Sequence, residues 1–300
     1  MKTKYLIIFC LLSFVIGCGR NKAGISNLEL VKALPVEYSE PVEPSGLTSF
    51  DGEFYTVSDD HDYTIFKLEI LEDKVVLHPH IKFFAPKLPK LIRLDLEGIT
   101  CDSEGDFYLC SEGANQILFV SRDGSEVHWI FESLKSYGDK KGFFQIRNAG
   151  LEGIALIGPD QFVLCIERQP RGIIRLNLKD NPAKVDLFDL DETKWKLPEE
   201  RFPDFTGLFV ENKDAYVLER GASVISKLTF KNGQVELSPR WSYSQIENAD
   251  EWRYANTLFT SGEGLCMDEK FIYVILDNNG EYRYTNPDDR RPLLFIMQRP

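Results

Sequence analysis

The chain contains the segment LEGITCDSEGDFYLCSE at residues 96–112 and the segment LEGIALIGPDQFVLCIER at residues 151–168. Each begins with a Glu-Gly-Ile step, passes through a turn rich in Asp and Gly, and ends in an apolar run followed by an acid. Three further segments repeat the pattern: PSGLTSFDGEFYTVSDD (44–60), FTGLFVENKDAYVLER (205–220) and GEGLCMDEKFIYVILDN (262–278). The shared glycines, spaced by 52, 55, 54 and 57 residues, are Gly46, Gly98, Gly153, Gly207 and Gly264.

Further apolar runs follow each motif, for example YTIFKLEI (63–70), QILFVSRDG (116–124) and GIIRLNL (172–178). Short alternating runs separated by turn residues are typical of antiparallel strands. Four strands in each repeat of this length predict an all-β fold, a β-propeller of five four-stranded blades. A sixth blade would have to lack the motif. The last repeat is one strand short, and LELVKAL (28–34) is predicted to supply it and close the ring.

The N-terminus has the features of an export signal. Two lysines precede an apolar stretch of 13 residues, from Tyr5 to Gly17, which is too short to span a bilayer. It ends in Val-Ile-Gly-Cys, which resembles a bacterial lipobox, so Cys18 is the predicted lipidation site. We therefore expect a signal peptide at 1–17, a lipidated cysteine and tether at 18–27, and a single propeller domain at 28–300. The predicted location is the cell envelope, by default the outer membrane or periplasm.

Composition excludes several classes of function. The 300 residues are 43% hydrophobic, which is too apolar for a disordered chain. The 35 Lys and Arg against 47 Asp and Glu give a net charge of −12, which argues against a nucleic-acid partner. We expect a monomer. Four cysteines outside the export segment lack metal-ligand spacing and are interpreted as core residues: Cys101, Cys110, Cys165 and Cys266.

The repeated acids are predicted to meet at one mouth of the central channel. In a propeller the first strand of each blade lines this channel, and the end of the antiparallel second strand lies beside its start. Ser45 and Thr206 replace the first acid in two repeats. The predicted ring consists of Glu97 with Glu112, Glu152 with Glu167, Glu263 with Asp277, and Asp59 and Glu219 alone.

Such a ring raises the pKa values of its members or recruits a cation. Ca²⁺ fits best because it accepts six to eight oxygen ligands, and Mg²⁺ is second. The four histidines are not grouped with the ring, which disfavours Zn²⁺. An alternative interpretation remains open, in which the acids cap hairpins or pair with arginines at positions 168, 220, 253 or 283. Arg168 and Arg220 each follow a ring acid, and this arrangement suits a bound phosphate or carboxylate equally well.

At these motifs the chain resembles a known family. LEGIT, LEGIA, LLFIMQ and the paired ER endings resemble the esterase-like phytase domain family, with NAGLEGIAL (148–156), VLCIER (163–168) and YVLER (216–220) in that family's order. The series of motifs SGL, DLEGI, LEGI, TGL and EGL also resembles the SdiA-regulated family of exported propellers. The first resemblance implies phosphoester hydrolysis dependent on a divalent metal. It makes Glu97, Glu112, Glu152, Glu167, Glu219 and Glu263 candidate metal ligands and Arg168 and Arg220 candidate phosphate contacts.

Three functional hypotheses follow. In the first, the protein is a metal-dependent phosphoesterase in which Glu152 or Glu263 orients water while Arg168 or Arg220 holds a small phosphorylated ligand. In the second, the propeller is not an enzyme and binds an envelope partner through aromatic insertions at 132–148 and 239–260. The third, a lactonase-type hydrolase, rests on fold analogy alone. No nucleophile elbow, Walker loop or dinucleotide-binding glycine pattern is present.

Overall fold

The computed structural model describes residues 24–197, 201–255 and 261–300. The predicted signal peptide (1–17), Cys18 and most of the predicted tether therefore lie outside the described residues. Within the described ranges, no helix is both long enough and apolar enough to cross a membrane. The last two residues of the predicted tether, Ser26 and Asn27, form a short strand that pairs in parallel with Trp241 and Ser242.

Almost all regular structure in the described residues is β. The strands are β1 Ser26–Asn27, β2 Glu29–Glu37, β3 Pro44–Phe50, β4 Glu53–Ser58, β5 Thr64–Ile70, β6 Val75–Lys82, β7 Leu96–Cys101, β8 Phe107–Ser111, β9 Gln116–Val120, β10 Val127–Trp129, β11 Leu151–Gly158, β12 Gln161–Ile166, β13 Gly172–Asn177, β14 Lys184–Asp189, β15 Leu208–Glu211, β16 Asp214–Glu219, β17 Val224–Lys231, β18 Gln234–Ser242, β19 Gly262–Met267, β20 Phe271–Leu276 and β21 Leu293–Gln298. The short helices are α1 Lys135–Gly138 and α2 Ser244–Glu247, with 3-10 turns at Asp139–Lys141 and Arg220–Ala222.

The strands pair antiparallel in units that follow the sequence repeats. Unit 1 is β3–β6, unit 2 is β7–β10, unit 3 is β11–β14 and unit 4 is β15–β18. Unit 5 consists of β19, β20, β21 and the N-terminal strand β2, which pairs Leu34 with Leu294. The prediction that the N-terminal segment completes the last unit is therefore confirmed. The end of β2 also pairs in parallel with β6, which joins units 5 and 1.

An apolar cluster fills each seam between neighbouring units. Ile99 and Leu109 of unit 2, for example, pack with Val57 and Ile65 of unit 1. The seam between units 5 and 1 is built in the same way from residues such as Leu294 and Phe66. Each unit therefore buries both faces, and the apolar runs of its strands follow from this burial.

The repeated glycines lie where the inner strands β3, β7, β11, β15 and β19 meet. A methyl group built on Gly46 would lie 2.8 Å from the Cα of Gly98, and one on Gly98 would lie 3.0 Å from the Cα of Gly153. One on Gly264 would lie 2.7 Å from the carbonyl carbon of Gly46. Each glycine thus touches the inner strand of the next unit. None of these glycines has a positive φ, so backbone conformation does not require glycine at these positions. Close approach of the neighbouring backbone does.

The two insertions point most of their large aromatic residues into the protein. Phe143, Phe144, Tyr243 and Tyr254 are buried, and Trp252 packs against the apolar cluster between units 4 and 5. This placement removes most of the aromatic surface on which the partner-binding hypothesis relied. The four cysteines are unpaired, and all except the half-buried Cys101 are fully enclosed in the sheets.

We predict that Gly153→Ala destabilises the fold by about 1–3 kcal/mol or more, because its methyl group would lie 2.4 Å from the Thr206 carbonyl oxygen. Gly158→Ala in the same strand is the matched control. Its methyl group meets nothing closer than 3.8 Å, so we expect a change within about 0.5 kcal/mol. Urea unfolding of both variants is the measurement. Equal stability of the two would contradict the role assigned to the glycine contacts.

Candidate functional site

A β-bulge places the glutamate of each Glu-Gly step. In β7, Leu96 pairs with Ser111 and Gly98 pairs with Cys110, so Glu97 has no partner across the ladder. The same one-residue bulge falls on Glu152 in β11 and on Glu263 in β19. Bulges of this kind redirect a side chain and are common beside functional sites. The three glutamates consequently leave the regular alternation of their strands and turn into one cavity.

The acids at the ends of the second strands reach the same cavity. Asp59, Glu112, Glu167 and Asp277 each directly follow the last residue of β4, β8, β12 or β20. The cavity has a volume of about 490 Å³. Seven of the eight predicted ring acids line it: Asp59, Glu97, Glu112, Glu152, Glu167, Glu263 and Asp277. The predicted convergence is therefore observed for three complete pairs and one single acid.

Burial and mutual repulsion act strongly on these carboxyl groups. Burial, followed by the charges of neighbouring carboxylates, holds the pKa values of Glu97 and Glu152 well above their usual range. Burial raises the pKa of Asp277 to about 8, with a further contribution from Glu263. The pKa of Asp59 rises to about 7 for the same reasons. A set of carboxyl groups that resists ionisation gains most from a bound cation.

Arg220 is the internal counter-charge of the cavity. Its guanidinium donates to Glu167 and Glu263 at 2.5 Å each, and to Asp204 at 2.8 Å. Asp204 is buried and also accepts from the backbone amide of Gly221. Burial still raises the pKa of Glu263 to about 7, although Arg220 opposes the shift. Arg220 therefore forms ion pairs with carboxylates of the protein. This is the alternative interpretation that the sequence left open, in which ring acids pair with arginines.

Glu219 is a correction to the predicted ring, because it does not reach the cavity. It lies in the seam between units 3 and 4 and accepts from Arg171 at 2.9 Å and from the Trp195 indole at 3.1 Å. The hydroxyl of Ser226 also donates to it. Arg171 is fully buried, so this ion pair is structural. Glu219 remains inside the ladder opposite Val224, whereas the other four acids stand just beyond their strands.

Sequence analysis missed Asp204, Arg93 and Asp95. Asp204 lies just outside the repeated motif and had no signal of its own. Arg93 and Asp95 line the cavity from the connection between units 1 and 2, and their side chains lie 3.2 Å apart. The position of Asp95, two residues before a Glu-Gly step, is the one signal that could have drawn attention to it.

Comparison with known proteins places the chain in a family. A family model described as phytase-like, esterase-like activity of phytase, matches residues 44–280. This range contains all five glycine motifs and the seven ring acids that line the cavity. The chain belongs to this phytase-like family. The match confirms the resemblance inferred from the motifs. No sequence among the curated proteins matches the chain.

One of three similar solved structures supports the fold of this phytase-like domain. Glutaminyl cyclase from Myxococcus xanthus superposes with a TM-score of 0.54 at 12% identity, covering 90% of this chain and 95% of its own. A gluconolactonase from Xanthomonas campestris gives 0.48 at 14%, covering 92% and 86%. Virginiamycin B lyase from Staphylococcus aureus gives 0.46 at 13%, covering 90% and 99%. The likeness extends to the all-β propeller-type fold alone.

The cavity of the phytase-like domain has oxygen donors suited to a hard cation. Carboxylate oxygens of Glu112, Glu152 and Glu167 lie within 4.8 Å of one another, and so do those of Asp59, Asp95 and Glu97. Glu167 Oε2 and Asp59 Oδ1 are buried and have no hydrogen-bond partner. An unpartnered buried carboxylate oxygen is costly, and a metal ion would compensate it. The acidic groups therefore fit a divalent cation.

We predict that Arg220→Met lowers the free energy of unfolding by about 3–5 kcal/mol at pH 8, because it leaves three buried carboxylates without their cation. The deficit should shrink at pH 5. Burial raises the pKa of Glu263 to about 7. This carboxyl group therefore binds a proton in the folded state at pH 5, and stability is lost as the pH rises through that value. Chemical unfolding at both pH values is the measurement, with the exposed Arg240→Gln as control. A deficit independent of pH would contradict the charge argument.

Proposed function

We propose that this domain is a five-bladed propeller that binds a divalent cation, Ca²⁺ in preference to Mg²⁺, and hydrolyses phosphoesters. The observation that supports this most is the cluster of Glu112, Glu152 and Glu167, with its unpartnered oxygen, beside an arginine in a cavity open to solvent. The family's description, esterase-like activity of phytase, agrees with the reaction class. A bound cation would neutralise the phosphate and lower the pKa of a coordinated water.

Arg168 and Arg220 have different proposed roles. Arg168 lines the cavity, and its Nη2 donates to the Asn148 carbonyl at 2.8 Å while its Nη1 contacts Glu167. This anchoring holds the guanidinium at the cavity wall, where it can grip a phosphate oxygen. Arg220 is committed to three carboxylates, so its proposed role is to position Glu167 and Glu263.

Glu152 is the better of the two candidate bases. Glu263 accepts a short hydrogen bond from Arg220, which competes with any proton it could take from water. No arginine hydrogen bond to Glu152 is observed among the described residues, and burial raises its pKa. Once ionised, its carboxylate would accept the proton of the attacking water and return it to the leaving alkoxide.

The main test is calorimetric titration of Ca²⁺ into protein treated with EDTA, with thermal melting alongside. We expect binding that raises Tm, and at least a tenfold loss of affinity in Glu112→Gln and Glu152→Gln, because each removes one ligand of the cluster. Glu236→Gln, on the outer strand β18, is the matched control. Absence of binding at millimolar Ca²⁺ would refute the metal site.

Catalysis needs its own measurement, with p-nitrophenyl phosphate as substrate. We expect turnover that requires Ca²⁺. At a Ca²⁺ concentration that saturates the variant, Glu152→Gln should reduce kcat by roughly 10²–10⁴-fold, as expected for loss of a general base. Arg168→Gln should mainly raise KM because it removes a phosphate contact. If Ca²⁺ binds and no phosphoester is turned over, the domain is a cation-binding propeller without this activity.

We also propose that the chain is a lipoprotein anchored to the cell envelope through Cys18, on the strength of the lipobox-like sequence. We expect the expressed protein to partition into the detergent phase of Triton X-114. We also expect it to incorporate labelled palmitate, because stable anchoring needs more than one acyl chain on the protein. Cys18→Ser should abolish both, whereas Cys101→Ser should change neither. Aqueous partitioning of the unsubstituted chain would contradict the anchor.

A further inference from the structure

A second concave surface adjoins the acidic cavity. It is a groove of about 620 Å³ between the connection before β7 and the segment before β11. The groove and the cavity share Arg93, Asp95, Glu112 and Asn148 in their walls. A ligand in the groove can therefore reach the candidate site without crossing a barrier of protein.

The two walls of this groove are basic, in contrast to the whole chain. Residues 82–93, KFFAPKLPKLIR, contain four basic residues and no acid. Residues 135–147, KSYGDKKGFFQIR, contain four basic residues and one acid. Lys90, Arg93, Lys135 and Arg147 line the groove itself. The acids that line the groove, Asp95 and Glu112, lie in the walls that it shares with the acidic cavity. This concentration of positive charge occurs in a protein of net charge −12.

The same walls expose large apolar side chains. Ile92 is 93% exposed and Ile146 is 43% exposed, and both line the groove. Aliphatic residues this exposed, grouped along a concave surface, are typical of a binding site. The groove thus combines an apolar track, formed by Ile92 and Ile146, with a basic edge, formed by the four basic side chains that line it.

We propose that this groove binds an anionic amphiphile, a phosphate monoester whose apolar chain lies along Ile92 and Ile146. The phosphate would lie at the junction with the acidic cavity, near Arg93, where the proposed phosphoesterase would act on it. The carboxylates alone repel an anionic substrate, and the basic edge gives it an attractive approach. The substrate class rests on the proposed function, whereas the binding itself does not.

Binding is tested with n-octyl phosphate titrated into the purified protein in EDTA, so that the groove is measured without a cation. We expect octyl phosphate to bind at least tenfold more tightly than methyl phosphate or octyl glucoside, which each lack one half of the recognised chemistry. Higher salt should weaken the binding because exposed charges are screened.

Paired variants separate the two contributions. Ile92→Ser with Ile146→Ser should reduce the affinity to that of methyl phosphate, and Lys90→Gln with Arg147→Gln should reduce it at least tenfold. The controls are Val31→Ser with Leu71→Ser and Lys179→Gln with Lys231→Gln, exposed residues on other surfaces. Equal affinity in the groove variants and the controls would overturn the proposal.

Three further outcomes are decisive. If phosphatidylglycerol vesicles sediment the protein through the 90%-exposed Phe84 while octyl phosphate does not bind, the surface contacts a bilayer and the proposal is wrong. If p-nitrophenyl phosphate is hydrolysed but octyl phosphate has no advantage over methyl phosphate, the groove fails and the phosphoesterase stands. If octyl phosphate binds through the groove and neither ester is hydrolysed with Ca²⁺, the groove stands and the phosphoesterase fails.

Discussion

The contact between backbone atoms at the repeated glycines is the constraint on which the rest of the structure depends. Each glycine lies against the inner strand of the next unit, and the series returns from Gly264 to Gly46. Any side chain there would push the inner strands apart and widen the channel. Because the strands stay close, the residues that precede the glycines on four units, Ser45, Glu97, Glu152 and Glu263, line one cavity. The acidic cavity is thus a consequence of the same contacts that close the fold.

The glutamate before each glycine contributes to this arrangement through the bulge. A regular ladder would pair Glu152 with a residue of β12 and turn its side chain towards a seam. The bulge releases it from the ladder, and the following glycine permits the close approach. Seven ring carboxylates, together with Asp95 and Glu281, then line one cavity, and Arg93, Arg168 and Arg220 compensate only part of their charge. Such an excess of buried acid destabilises the fold unless protons or a cation are bound, so its presence in this position argues for a ligand.

Much of this organisation could be predicted from the repeats, because period-2 apolar runs and equally spaced glycines specify strand order and the inner strand of each unit. The convergence of Glu97 with Glu112 follows from antiparallel topology alone. The position of Glu219 could not be predicted, because the residue that holds it, Arg171, lies outside the repeated motif. Nor could the role of Arg220. Two identical Glu-Arg dipeptides differ because Glu167 stands beyond its strand, whereas Glu219 stays within one. Glu167 and Arg168 therefore both line the cavity, whereas only the arginine of the second dipeptide, Arg220, does so.

The basic residues beside the cavity are not placed by the repeats that place most of its acids. An acidic surface suits capture of a cation, but it opposes the approach of a phosphate. The chain places eight basic residues on the two segments that border the groove, where no repeat places them. Apart from Lys82 at the end of β6, these basic residues lie in connections between units, so they are free of the strand pattern that dictates the inner residues. The repeats therefore supply most of the cation-binding part of the proposed site, and the two connections that border the groove supply the part that would select the substrate.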